Sequence, residues 1–221
     1  ISSTSANTSK ANTREKKMRI SPHEQRTEGW YACRRGVPTA SSFGRLITPT
    51  GKRSASADAY IDELVAEKLT GESKFFPTTA AMQHGIDTEP KAREYYEFMY
   101  DAKVIEVGLC LHDTIEAGAS PDGLIQGTDG LLEIKCPQPH TMVKYWRDFL
   151  KKERMPQEYL AQVQGQLWIA EKEWCDFLCY AENIKPLLVR VKRDEEFIKS
   201  LEEIVTDAVE SINESVNQLK G

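Results

Sequence analysis

Asp122 in Ser120-Pro121-Asp122-Gly123-Leu124, with Glu133 and Lys135 in Leu132-Glu133-Ile134-Lys135-Cys136-Pro137, are the residues whose types and spacing suit chemistry best. Strand side chains alternate between faces, so Glu133 and Lys135 share one face while Ile134 points into a core. A carboxylate and an ammonium side by side near a second carboxylate can hold a hard divalent cation and polarise a water. That is the equipment of metal-assisted phosphodiester hydrolysis. Gly127-Thr128-Asp129-Gly130 separates two strand-like runs, 122–126 and 131–135, and Asp-Gly is a hairpin signal. Pairing Gln126 with Leu131 sets Asp122 opposite Lys135 and Leu124 opposite Glu133. Asp122 and Glu133 then become diagonal neighbours about 7 Å apart at Cα. Each piece alone has a plainer reading, because Pro-Asp-Gly is an ordinary turn and Glu-x-Lys is often a solvated strand face. Together they favour a metal-dependent site.

Residues 1–20 are polar and aperiodic, a flexible N-terminal tail, and 21–221 form one domain. Residues 24–46 pattern as a short helix, a Gly/Pro turn and a second helix starting near Thr39 or Ser41. Residues 48–56 are a basic loop carrying Lys52 and Arg53. A helix covers 57–69, with Ile61, Leu64, Val65 and Leu69 apolar and Gly71 as its stop. Another covers 79–100, where Pro90 either kinks or restarts it. Strands are expected at 104–107, 117–119, 124–126 and 131–135. A helix with Tyr145, Trp146 and Phe149 follows, then one over 157–170, then strands at 176–180 and 187–191. The closing amphipathic helix carries the stripe Phe197, Leu201, Ile204, Val205, Ala208, Ile212, Val216 and Leu219. This order predicts an α/β or α+β core flanked by helices.

At 221 residues the chain is long enough to bury a sizeable core, and no stretch reaches the apolar length of a membrane span. Ser, Thr, Asn and Lys dominate its start, unlike a signal peptide. The five cysteines show no Cys-x-x-Cys spacing, which disfavours zinc, iron–sulfur and disulfide frameworks and fits a reducing cytoplasm. His23, His84, His112 and His140 likewise lack ligand spacing. Cys136 adjoins the candidate strand but reads as a packing residue, since this chemistry needs no covalent nucleophile. The net charge is −5, yet residues 1–60 carry 11 Lys/Arg against 4 Asp/Glu, and the remainder 18 against 30. A basic N-terminal region can grip phosphates while an acidic outer surface keeps the protein soluble.

Four segments in order extend the match: Arg34-Arg35-Gly36-Val37-Pro38-Thr39-Ala40-Ser41; Gly85-Ile86-Asp87-Thr88-Glu89-Pro90-Lys91-Ala92-Arg93; the paired segments around Asp122 and Glu133; and Tyr159-Leu160-Ala161-Gln162-Val163-Gln164. With these, the chain from about Trp30 to its last helix resembles the phage lambda exonuclease family, the alkaline exonuclease branch of the PD-(D/E)xK nuclease superfamily. The resemblance implies a restriction-endonuclease-like core with a central mixed sheet flanked by helices. It implies a Mg²⁺-dependent 5′→3′ exodeoxyribonuclease using two ions, for which Mn²⁺ substitutes. Such an enzyme digests one strand of linear duplex DNA and leaves a 3′ single-stranded overhang. Family members work as ring-shaped homotrimers in the host cytoplasm and pass that tail to a phage single-strand annealing protein.

By motif match, Asp122, Glu133 and Lys135 are the catalytic set. Glu89 and the Ile134 carbonyl complete the metal ligands, and Gln162 orients water or the lysine. Arg34, Ser41 and Ser120 match the residues that hold a terminal 5′-phosphate, and Met82 occupies the place of an apolar wedge between strands, with a plain core role as its alternative. Trp30 reads first as a core residue that can also stack on a terminal base, and Lys52 and Arg53 read either as a solvated loop or as contacts to the minor groove or phosphates. Pro38 and the second arginine, Arg35, depart from the family pattern in the first segment. Two rivals use the same residues differently: a site-cutting endonuclease on this fold, for which no base-reading element is evident, and a non-catalytic DNA-binding subunit.

Overall fold

The computed structural model describes residues 18–73 and 78–220. Strand β1 (Arg19–Ile20) already pairs with later chain, so the ordered fold begins inside the expected tail; residues 1–17 lie outside the described residues. Helix α1 (Glu28–Arg34) is capped by Thr27, whose hydroxyl accepts from the Trp30 N–H. Where a second helix is expected, a 3-10 helix (Ala40–Arg45) forms. Thr39 does not cap it, because its Oγ1 accepts instead from Arg34 Nη2 at 3.1 Å. Helix α2 (Ala57–Thr70) stops at Gly71, which adopts the left-handed conformation (φ +71°) suited to glycine. Helix α3 (Ala80–Tyr100) starts at the Thr79 cap and continues through Pro90 without restarting.

The strand-rich middle comprises β2 (Val104–Ile105), β3 (Cys110–Leu111), β4 (Gly118–Ala119), β5 (Gly123–Ile125) and β6 (Gly130–Lys135). Two-residue strands such as β1 and β3 are too short for alternation to announce them. Next come α4 (Pro139–Lys152), a 3-10 turn (Gln157–Tyr159) and α5 (Leu160–Ile169). Strands β7 (Trp174–Ala181) and β8 (Ile184–Lys192) precede α6 (Glu195–Leu219), whose Asp194 cap accepts from the Phe197 N–H at 3.0 Å. Glu195 and Glu196 in its first turn complement the helix dipole.

The central sheet is mixed, in the order β2-β5-β6-β7-β8, and a three-stranded sheet β1-β3-β4 lies apart. Only β6 and β7 run parallel, joined by the α4–α5 crossover that parallel pairing requires. The β5–β6 ladder corrects the expected register: Leu124 faces Leu131 and Gly123 faces Leu132. The loop explains the shift. Thr128 N–H and Oγ1 both donate to the Ile125 carbonyl, and Gly127 sits at φ +73°, so the turn closes on Ile125 rather than Gln126. The ladder thereby moves by two residues, an even step that keeps every side chain on its expected face. One residue further along, Asp122 falls opposite Glu133 rather than diagonal to it.

Both faces of the sheet are covered. Leu131 packs with Met142, Val163, Leu167, Cys175 and Phe177 under α4 and α5. Leu132 and Ile134 pack with Ala92, Tyr96 and Leu178 under α3. A helical core joins α2, α6 and the 3-10 helix through Phe43, Leu64, Leu201 and Val205. Glu133 shares its parity with Leu131, so it points beneath α5 into the protein; it is 2% exposed and does not lie on a solvated strand face.

Candidate active site

Glu133 is buried on an apolar sheet face, so both its oxygens need partners. Oε1 meets Lys135 Nζ at 2.6 Å and accepts from Gln162 Nε2 at 2.6 Å; Oε2 accepts from Gln166 Nε2 at 2.6 Å. Gln162 and Gln166 stand one turn apart on α5 and reach the same carboxylate. Lys135 Nζ also donates to Gln162 Oε1 at 3.2 Å and lies 4.8 Å from the centre of the Tyr159 ring. Burial works against the Lys135 charge, but the carboxylates of Glu133 and Asp122 outweigh it and hold its pKa above the usual lysine value. Gln166, like Arg26, is a residue that sequence reasoning misses. Its spacing of four from Gln162 was the available signal.

Asp122 Oδ2 accepts from the Ile134 N–H at 2.6 Å, which ties the residue just before β5 to the C-terminal end of β6. Burial, then the charges of Glu133 and Glu89, push its carboxyl well above the ordinary range; Lys135 and the Ile134 N–H oppose them. The charges of Glu133 and Glu89 thus add to burial in opposing ionisation of Asp122. Hard carboxylate oxygens brought together in this way are donors that suit a divalent cation such as Mg²⁺. The same burial, with Glu89 and Asp122 nearby, pushes the Cys136 thiol up to about 12, consistent with an inert packing residue.

Glu89 lines a cleft of about 460 Å³ together with Asp122, Arg26, Arg93 and His23. Arg26 Nη2 pairs with Glu89 Oε2, and Arg93 Nη2 pairs with Oε1 at 3.0 Å. Glu89 is therefore engaged by arginines, and Glu133 by Lys135 and two glutamines. In this arrangement no group of three or more His, Cys, Asp or Glu side chains among the described residues is placed to hold a metal ion.

A second cluster adjoins the first through Ser120. Arg34 Nη2 donates to Thr39 Oγ1 and Ser41 Oγ, each at 3.1 Å. Its guanidinium lies 4.2 Å from the Trp30 ring centre, and Trp30 Nε1 donates to Ser120 Oγ at 3.0 Å. Burial lowers the Arg34 pKa from its usual value, a sign of a guanidinium partly stripped of water. Arg34, Ser41, Ser120 and Trp30 are thus one connected group, two residues from Asp122. Met82 stands in the first turn of α3, 51% exposed. Lys52 and Arg53 are exposed, and their contacts run to Thr48 and Asp58 rather than to the cleft.

The YqaJ-like viral recombinase domain matches residues 29–173 of the chain. Among solved structures, the fold is similar to LHK-Exo, an alkaline exonuclease from Laribacter hongkongensis. The TM-score is 0.78 at 35% identity, covering 88% of this chain and 96% of that one. LHK-Exo in complex with dAMP matches at a TM-score of 0.77 with the same identity and coverage. A phage related exonuclease from Haemophilus somnus 129PT shares the fold, with a TM-score of 0.69 at 15% identity over 83% of this chain and 96% of its own. An uncharacterized protein of Acanthamoeba polyphaga mimivirus is 28% identical over 173 residues, 72% of this chain, and the chain spans 30% of its length.

Proposed function

Because the chain belongs to the YqaJ-like viral recombinase family and is a nuclease of the lambda exonuclease type, we propose that it is a divalent-cation-dependent 5′→3′ exodeoxyribonuclease. Its substrate is linear duplex DNA with a 5′-phosphate, and its products are mononucleotides and a 3′ single-stranded tail for recombination by annealing. One observation carries this reading. The Arg34–Ser41–Ser120 group and the Asp122–Glu133–Lys135 group are joined through residues 120–122. A terminal phosphate held by the first would set a neighbouring phosphodiester at the second, which supplies strand polarity.

Asp122, Glu133, Glu89 and the Ile134 carbonyl would hold the cations, Mg²⁺ with Mn²⁺ as a substitute. When bound, these ions supply Lewis-acid stabilisation and an activated water. Lys135, positioned by Glu133, Gln162 and the Tyr159 ring, offsets charge that builds on the phosphorus oxygens. Gln162 spans Glu133 and Lys135 and so fixes their relative orientation. Arg34 presents a planar fork suited to phosphate, Trp30 backs it, and Met82, Lys52 and Arg53 offer side chains to the duplex. Glu89 must exchange its arginine partners for a cation. LHK-Exo was solved with dAMP, a mononucleotide of the class expected here as product. A ring-shaped homotrimer and a phage single-strand annealing partner in the host cytoplasm complete the reading and rest on the family resemblance. No helix among the described residues is long and apolar enough to cross a membrane.

The test uses duplex DNA labelled at either end of one strand, alongside covalently closed circles. With Mg²⁺, label at the 5′ end should appear as mononucleotide from the first time point, 3′ label should persist, and circles should survive. Rapid release from the 3′ end, or nicking of closed circles, would overturn the polarity or the exonuclease reading respectively.

A further inference from the structure

Arg26 has no counterpart among the segments that carry the family resemblance, yet its guanidinium occupies Glu89 at the cleft. Its neighbours in the chain are fixed. Gln25 Nε2 donates to the carbonyls of Val107 at 2.9 Å and Pro121 at 2.8 Å, which locks this segment against the residue preceding Asp122. Thr27 caps α1 and donates to the Glu24 carbonyl at 2.7 Å. Between them Arg26 takes φ +67°, a left-handed conformation that side chains other than glycine rarely adopt. A residue held this way keeps its backbone in place while its side chain moves.

The two arginines on Glu89 differ. Arg93 lies four residues along α3, is 14% exposed in its side chain and also binds Glu106 at 2.7 Å. Arg26 reaches Glu89 from another part of the chain and is 41% exposed. Arg93 is built in; Arg26 can leave. A cation approaching Glu89 meets the Arg26 charge, whereas a DNA phosphate entering the same cleft offers the guanidinium an alternative anion with matching two-pronged geometry.

We propose that Arg26 is a DNA-binding residue that exchanges partners. It holds Glu89 while the cleft is empty and transfers to a backbone phosphate of the digested strand when a divalent cation takes Glu89. This rests on the reading of Glu89 as a metal ligand. The exchange couples the two ligands reciprocally, because cation binding frees Arg26 for DNA and DNA draws Arg26 off Glu89.

Arg26→Gly is the suitable variant, since glycine accepts φ +67° and removes only the side chain. Mn²⁺ binding to the DNA-free protein, followed by the electron paramagnetic resonance of free Mn²⁺, should tighten about tenfold, within the usual range of coupling. The KM for 5′-phosphorylated duplex should rise about tenfold by the same coupling, and Arg26→Lys should restore part of both effects. A merely structural arginine would not make the metal bind more tightly. Unchanged or weaker Mn²⁺ binding in Arg26→Gly, or an unchanged KM, overturns the proposal. Glu89→Gln separates the two layers. If it weakens Mn²⁺ binding while Arg26→Gly has no effect, Glu89 stands as a ligand and the Arg26 exchange fails. If Glu89→Gln leaves Mn²⁺ binding intact, the Glu89 reading fails and takes the exchange with it.

Discussion

Replacing Gln166 by leucine tests whether the back of the site, rather than its mouth, sets the geometry of Glu133. Gln166 Nε2 is the donor to Glu133 Oε2, at 2.6 Å, while the other oxygen keeps Lys135 and Gln162. Losing a hydrogen bond to a charged group costs about 1.5–3 kcal/mol. The Gln166 Oε1, however, is buried without a partner, and leucine of similar volume removes that unsatisfied acceptor, a gain of about 1 kcal/mol. The net loss is then about 0.5–2 kcal/mol. At about 2–4 °C per kcal/mol for a chain of this size, the melting temperature in EDTA should fall by about 1–8 °C. Outer partners of a metal ligand are typically worth 10–100-fold in affinity or activity, so Mn²⁺ affinity should fall at least about tenfold. Differential scanning fluorimetry in EDTA and a Mn²⁺ titration measure the two effects separately. A variant that melts with wild type and binds Mn²⁺ equally well would mean that Lys135 and Gln162 alone orient Glu133.

Asp122→Asn should abolish cleavage and also change the pH dependence of stability in EDTA. Burial, Glu133 and Glu89 raise the Asp122 carboxyl above the value it has unfolded, so the folded state binds the extra proton and loses stability as pH climbs from the ordinary carboxylate range through the raised one. Asparagine cannot ionise, so its melting temperature relative to wild type should rise with pH across that window; a constant difference would refute the raised Asp122 carboxyl. Lys135→Ala should lower kcat by about 10²–10³-fold, the scale of a lost transition-state electrostatic partner, and near wild-type turnover in folded protein would make the lysine structural. Arg34→Ala should depress activity on 5′-phosphorylated ends by about tenfold or more relative to 5′-hydroxyl ends, as a charge-assisted phosphate contact requires. Equal losses on both substrates would reassign Arg34 to a general backbone contact.

Which residues were legible from the sequence follows from how far each contact reaches along the chain. Asp122, Glu133 and Lys135 lie within a hairpin, and strand parity alone determines which side chains share a face. The two-residue error in register left that conclusion intact, since an even slip preserves faces. The 3-10 helix after Thr39 was not legible, because its would-be cap is diverted to Arg34, a side-chain choice that local propensity does not encode. The same holds for burial of Glu133. An acid in a Glu-x-Lys strand reads as solvated until α5 is laid over it.

Arg26 and Gln166 escape sequence reasoning for a related reason. They contact Glu89 and Glu133 across separations of 63 and 33 residues, and neither sits in a motif. Yet they act on the two carboxylates in opposite senses. Gln166 is buried, neutral and anchored on a helix, so it can hold Glu133 without competing for a cation. Arg26 is charged, 41% exposed in its side chain and outside any helix or strand, so under the proposed exchange it would compete with a cation for Glu89. If Glu89 and Glu133 are cation ligands as proposed, a site arranged this way would keep one ligand oriented at all times and release the other only when compensating charge arrives. Cation binding in this protein should therefore depend on DNA through Glu89 far more than through Glu133.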